Sequence, residues 1–250
     1  MMDLKNKLYI VTGASFDSDI GLAICKKLDA HGAKLILIGR RKDALEATKS
    51  QLIGIHHVVP YNLSQLDDIQ SWAKTINEKY GPIDGLVHSA SFQGYSPLRS
   101  ISAKQISNYF DVNFSAAVML TAAFSKTKFY SHNASFIYIG SVAGQRGLKA
   151  RTLYAASKAA LSSMVQSAAL ELAIKSIRVN CVAPAVVSGT KADKQFQTIG
   201  DQQSQALIAA HPLGLCSPED VANSVYFLVS DLSIKITGTT LIVDGGFLAG

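Results

Sequence analysis

The sequence predicts an α/β fold: one doubly wound, parallel, seven-stranded sheet with helices on both faces. Three observations predict it. Short apolar runs alternate with longer helical segments along the whole chain. The runs are continuously apolar, as parallel strands covered on both faces must be. The first run leads directly into a loop of small residues and then a helix, the opening of a right-handed crossover.

Taken in order, Leu8–Thr12 is the first strand and Ile20–His31 the helix that follows it. Lys34–Ile38 is a second apolar run closed by Gly39, with a helix near Lys42–Gln51. Ile55–Val59 stops before Pro60 as a third strand, and Leu66–Tyr80 is a helix ended by Gly81–Pro82. Gly85–His88 is the fourth strand, and Ala103–Phe129 reads as one long helix. Ser135–Ile139 is the fifth strand, Leu153–Ile174 an Ala-rich long helix, and Ile177–Val182 the sixth strand. Pro218 suits a first helical position and opens a helix to Val229, after which Thr240–Val243 is the seventh strand. One stretch breaks the alternation. Ala185–Cys216 mixes Gly, Gln and Ser with short apolar pieces and reads as a mobile lid. No linker, repeat or second domain interrupts residues 1–250, which read as a single domain.

Composition narrows the function. Apolar residues make up 48% of the 250 and charged residues 17%, enough for a buried core. The net charge of +6 suits anionic small molecules, while the lack of a dense Lys/Arg stripe argues against nucleic acid. Cys25, Cys181 and Cys216 are scattered among apolar neighbours, which predicts free thiols, no metal site and a reducing cytoplasm. Met1–Lys7 lacks the apolar core of a secretion signal, and no apolar run reaches the roughly 18 residues of a membrane span.

Two ends of the predicted sheet carry chemistry. The first strand runs into Thr12–Gly13–Ala14–Ser15–Phe16–Asp17–Ser18–Asp19–Ile20–Gly21. Small residues there let backbone N–H groups approach a diphosphate at the helix N-terminus. Asp17 and Asp19 sit where that diphosphate would arrive; the expectation is that Asp19 caps the helix, with Asp17 turned to solvent and the Asp19 and Ile20 backbone still open to phosphate. The second strand ends Gly39–Arg40–Arg41. An NAD site places an acid there for the ribose hydroxyls; a guanidinium suits a 2′-phosphate, so NADP(H) is favoured over NAD(H).

At the other end, Tyr154 and Lys158 lie four apart on one helix face, where an ammonium is expected to lower the phenol's pKa. Ser141 falls at the carboxyl edge of the fifth strand, and Asn113 lies inside the preceding helix, where a buried amide needs partners. His88, at a strand end, is read as a supporting residue rather than a general acid.

With these motifs together, the chain resembles the short-chain dehydrogenase/reductase family over essentially its full length. The matches are the glycine loop, Asn113, Ser141, Tyr154 with Lys158, Arg178–Val179–Asn180, and Ile236–Thr237–Gly238 through Val243–Asp244–Gly245–Gly246. The resemblance implies a Rossmann-type fold and hydride transfer between a nicotinamide and a carbonyl or alcohol. It implies that Tyr154 donates a proton to the carbonyl oxygen, Lys158 tunes it and holds the nicotinamide ribose, Ser141 polarises the carbonyl, and Asn113 holds a relay water. Cofactor contacts are implied at Gly13, Ser15, Asp19, Ile20, Arg40, Asn62, Leu63, Ser89, Ala90, Tyr154, Lys158, Pro184 and Val187. A homotetramer is implied too, through the two long helices and the last strand.

The chain also departs from the family's ketoreductases. The glycine loop is two residues longer, His88–Ser89–Ala90–Ser91 stands where Asn-Asn-Ala-Gly is usual, Pro184–Ala185 replaces Pro-Gly, and the expected Thr falls one position late at Thr190. The long loop, Val87–His88–Ser89, Asp220–Ser224 and Ser230–Ser233 resemble the enoyl-acyl-carrier-protein reductase branch. That branch separates its Tyr and Lys by six residues, which puts Arg151 at its Tyr position, and Arg cannot donate a proton at neutral pH. The expected function is therefore NADPH-dependent carbonyl reduction, with a 3-oxoacyl thioester as one candidate substrate. Enoyl-thioester reduction and a non-catalytic dinucleotide-binding protein are the alternatives. Substrate choice is expected to lie in Ser91–Leu98, Ala143–Arg151 and the lid, where Lys149, Arg151, Lys191 and Lys194 could favour an anionic substrate.

Overall fold

A computed structural model describes residues 3–250. Strand β1 (Leu8–Thr12) leads to α1 (Asp19–Ala30), β2 (Lys34–Gly39), α2 (Lys42–Lys49), β3 (His57–Pro60), α3 (Ile69–Tyr80) and β4 (Ile83–His88). Then come α4 (Ala103–Phe110), a π-helical turn (Asp111–Ser115), α5 (Ala116–Phe124), β5 (Tyr130–Ile139), α6 (Thr152–Leu172) and β6 (Arg178–Pro184). The chain closes through α7 (Thr190–Ile199), α8 (Asp201–Ala209), α9 (Pro218–Val229) and β7 (Thr240–Val243). All seven strands are parallel, in the order β3-β2-β1-β4-β5-β6-β7.

Alternation along each strand builds two cores. Leu8, Ile10, Ile36, Ile38 and Phe136 face α3, α5 and α6, while Tyr9, Val11, Leu35, Leu37 and Ile137 face α1 and α9. Truncating one such fully buried Ile or Phe to Ala costs about 2–5 kcal/mol. On the first face, Trp72 stacks on Tyr61 with ring centroids 4.5 Å apart and meets Phe124 edge-on. Strand order reverses between β1 and β4, so the loops after them diverge and leave a crevice at their carboxyl ends.

Three expectations change. The single helix over Ala103–Phe129 is instead α4, a π turn and α5, ending at Phe124, because the turn rotates Asn113 toward partners on the loop after β4. The third strand starts at His57 rather than Ile55, since Ile53 and Gly54 give their N–H groups to Asp29 and leave the extended path. Ala185–Cys216 is largely helical, holding α7 and α8. No helix among the described residues is long and apolar enough to cross a membrane.

Candidate active site

Strand ends and one helix bring the predicted catalytic residues together. Tyr154 and Lys158 share a face of α6, and Ser141 follows β5 as the cap of a short turn, its Oγ accepting the Ala143 N–H at 3.2 Å. Ser141, Tyr154 and Lys158 line one cleft of about 690 Å³, with Ser91 from the β4 loop, Pro184 and Val187 after β6, and Phe247 near the C-terminus. Lys158 is almost fully buried, and its Nζ donates to the Ile139 carbonyl at 2.7 Å. Burial pulls its pKa from 10.5 to about 8; Lys191 adds to this, and Cys181 opposes it.

The expected tuning of Tyr154 by Lys158 is corrected. Burial pushes the phenol upward, and what opposes it comes from Ser141, Arg151 and Ser91. The Lys158 ammonium stands 5.8 Å from the Tyr154 ring and gives one of its N–H groups to the Ile139 carbonyl; it is not among the groups that move the phenol.

Asn113 is fully buried and acts as a clamp. Its Oδ1 accepts the Phe92 N–H at 2.7 Å, and its Nδ2 donates to the Phe92 carbonyl at 2.8 Å and to Ser157 Oγ at 3.0 Å. Ser157 in turn donates to the Tyr154 carbonyl at 2.8 Å. The side chain thus fixes the β4 loop against the catalytic helix. His88 does parallel work: its Nε2 donates to the Val112 carbonyl at 3.1 Å, and its Nδ1 accepts from Thr12 Oγ1 at 3.0 Å. Thr12 Oγ1 also accepts the Ala90 N–H at 3.2 Å. Burial first, then Lys158, pushes His88 down to about 3, so it is neutral, as a supporting residue should be.

The crevice beside β1 fits a dinucleotide. Gly13 has a φ of 69°, and a Cβ there would come within 2.7–2.8 Å of the Ser89–Ala90 backbone. A Cβ on Gly21 would lie 2.0 Å from the Gly13 carbonyl oxygen, so this glycine seats α1 against the loop. The first residue of α1 is Asp19, and Ser18 is its cap residue, with no side-chain cap bond. The leading N–H groups therefore have no side-chain cap, as a phosphate site at a helix N-terminus requires.

Asp19 is accordingly not the cap. Its carboxylate turns to the start of α7, where Thr190 Oγ1 donates to it at 3.5 Å and a Cβ on Gly189 would touch it. Asp17 is not simply solvated either, because Arg41 pairs with it at 2.6 Å. Arg40 is exposed and forms no ion pair among the described residues. Ser18, Asp19, Ile20 and Ser89 line the cleft; Gly13 and Ala90 stand behind it as backbone spacers. Asn62 is taken by a local turn, its Oδ1 accepting the Ser64 N–H, and Leu63 packs in the core; like Ser15 and Arg40, neither lines the cleft.

Two site residues escaped their sequence reading. Arg151 donates to the Gly94 carbonyl at 3.2 Å and to Gln195 Oε1 of α7 at 3.0 Å, and its guanidinium stacks on Tyr95 at 4.1 Å. It ties the β4 loop and α7 together beside Tyr154. Phe247 is held between the Arg146 guanidinium, 4.7 Å away, and the His211 ring, stacked at 4.8 Å. The enoyl-reductase-like segments are structural: Asp220 makes a capping box with Ser217, and Ser230 and Ser233 receive Arg178. No group of three or more His, Cys, Asp or Glu that could hold a metal occurs among the described residues.

Comparison with known proteins agrees with this geometry. A family model described as Enoyl-(Acyl carrier protein) reductase matches residues 13–248. The chain is 31% identical over 246 residues to the 3-oxoacyl-(acyl-carrier-protein) reductase FabG of Escherichia coli, covering 98% of each. It is 33% identical over 255 residues to the galactitol 2-dehydrogenase of Agrobacterium fabrum, again covering 98% of each. Among solved structures, a short-chain dehydrogenase/reductase of the glucose/ribitol dehydrogenase type from Brucella melitensis superimposes with a TM-score of 0.89 at 27% identity, covering 98% of each chain. A protein classed as an NAD(P)-dependent gluconate 5-dehydrogenase from Beutenbergia cavernae, with NADP bound at low occupancy, superimposes at 0.90 and 27% identity, covering 99% of each.

Proposed function

The chain belongs to the short-chain dehydrogenase/reductase family, and from that premise we propose that it is an NADPH-dependent carbonyl reductase with Tyr154 as proton donor. It is an NAD(P)-dependent oxidoreductase acting on CH–OH or C=O groups, as its relatives named reductases and dehydrogenases support. The observation that carries the finer reading is the meeting of the Ser141 hydroxyl and the Tyr154 phenol beside a buried Lys158 in one cleft. A nicotinamide dinucleotide held at the α1 N-terminus beside Gly13 would supply the hydride for the carbonyl carbon. Negative charge then grows on the carbonyl oxygen, where preorganised donors act most strongly. The Ser141 lone pair is occupied by the Ala143 N–H, so its proton is the part free to face that oxygen. Tyr154 gives its proton to the same oxygen, and the buried Lys158 ammonium is the group that would hold the nicotinamide ribose. Asn113 positions: through Ser157 and Phe92 it holds the phenol's helix against the loop.

The free Arg40 guanidinium supports recognition of a 2′-phosphate, with Arg41 occupied by Asp17. A 3-oxoacyl thioester is the substrate proposed first, on the likeness to FabG. A cytoplasmic location and a homotetramer complete the reading. The free buried thiols support the first, and exposed Ile106, Leu170 and Ile174 on the long-helix side support the second.

Pure protein incubated with NADPH and either acetoacetyl or crotonyl thioester tests the reaction. Consumption with acetoacetyl is expected. Consumption with crotonyl alone overturns carbonyl reduction in favour of enoyl reduction, and no measurable binding of NADPH or NADH overturns every redox reading.

A further inference from the structure

Ser91 stands where ketoreductases of the family carry a glycine, and the structure gives that extra hydroxyl an unusual setting. Its Oγ is buried and has no hydrogen-bond partner. A buried hydroxyl that loses water without gaining a partner is destabilising, so one that is kept calls for an explanation. The backbone on each side of it is pinned. Ala90 N–H is bound by Thr12 Oγ1 at 3.2 Å, and both Phe92 backbone groups are bound by Asn113 at 2.7 and 2.8 Å. Ser91 therefore projects from a stretch of loop held on both sides, into the cleft that Ser141, Tyr154 and Lys158 also line. Ser141 has already given a lone pair to Ala143; Ser91 has no competing partner beside the Tyr154 phenol.

We propose that Ser91 is a further catalytic residue whose hydroxyl, opposite Ser141, donates a hydrogen bond to the Tyr154 phenolic oxygen and holds the phenolate that proton transfer leaves behind. Ser91 also favours the ionised phenol, as such a neighbour must. In the step itself the Tyr154 O–H bond breaks, the proton goes to the substrate oxygen, and the electron pair stays on the phenolic oxygen. Ser91 holds that charge with its own O–H, while the Ser141 proton faces the substrate oxygen, and this offsets the burial that keeps the phenol protonated. The inference rests on the proposed proton-donor role of Tyr154 for its catalytic meaning, but the hydroxyl–phenol contact can be tested without turnover.

The phenolate absorbance of Tyr154 is isolated by subtracting the ultraviolet pH titration of Tyr154→Phe from that of the wild type. The same subtraction, with a matching Tyr154→Phe double variant, is made for Ser91→Ala and Ser91→Gly. Both are expected to move the Tyr154 midpoint up by about one pH unit, a tenfold loss of phenolate at a given pH. In the carbonyl assay the alkaline shift should reappear in the kcat profile, with kcat falling about tenfold and the KM for NADPH unchanged. An unmoved Tyr154 midpoint in both variants overturns the proposal, whatever the activity. A moved midpoint in a protein that reduces no carbonyl leaves the contact standing and sinks the reductase reading instead.

Discussion

In the catalytic half of the cleft the polar groups are mostly buried and tied to backbone: Lys158 to Ile139, Asn113 to Phe92, His88 to Val112. Beyond the cleft, at the proposed cofactor end, Asp17, Arg40 and Arg41 stand at the surface, and Asp17 and Arg41 answer one another across about half-exposed side chains. The contrast teaches how one site can divide its work. Burial sets the ionisation of Lys158, Tyr154 and His88, so their behaviour depends on packing. Exposure leaves the cofactor end to be specified by charge, which is weak per contact but cheap to alter.

The contrast predicts a descending series of effects. Lys158→Met should lower kcat roughly a thousandfold, within the range of an acid–base partner. It should also change the stability profile. The folded pKa of Lys158 is about 8 against an ordinary 10.5, so between those values the unfolded chain binds more protons and wild-type stability rises with pH. Denaturant titrations across that window should show the rise in the wild type and a flatter line in the variant; identical slopes would mean that Lys158 is not buried as a cation. Next, Asn113→Ala should destabilise by about 2–3 kcal/mol, because it leaves the Phe92 backbone unpaired under the loop. A Tm unchanged in calorimetry would show that the clamp is dispensable. Arg40→Asp should raise the Kd for NADPH by about 10–100-fold, as loss of a charged phosphate contact does, with NADH little affected. Equal losses for both would remove the 2′-phosphate assignment. Smallest of all, Asp17→Asn should alter stability by no more than about 1 kcal/mol, the scale of an exposed ion pair. A larger loss on chemical denaturation would erase the distinction between the two halves.

What the sequence made legible follows the same division. The seven strands could be read because each carries an apolar stretch bounded by turn residues or helix starts, and Tyr154, Lys158 and Ser141 because their places depend on local spacing and strand ends. The split of the long helix was hidden, since a π turn at Asp111–Ser115 is chosen by what Asn113 meets more than twenty residues upstream. The same reason hides Arg151 and Phe247, whose partners come from remote segments. Asp19 misled because a first-turn acid and a cap look alike in sequence; only its meeting with Thr190 separates them. The resemblance singles out Arg40 over Arg41, and the structure pairs Arg41 with Asp17.

Trp72 is the sole tryptophan of the chain, and its stacking partner Tyr61 directly precedes Asn62 and Leu63. That places an intrinsic fluorophore one aromatic ring away from a loop expected to meet the cofactor. If the dinucleotide reaches that loop, its arrival will change Trp72 emission, an optical gauge that works without any chemistry at Tyr154.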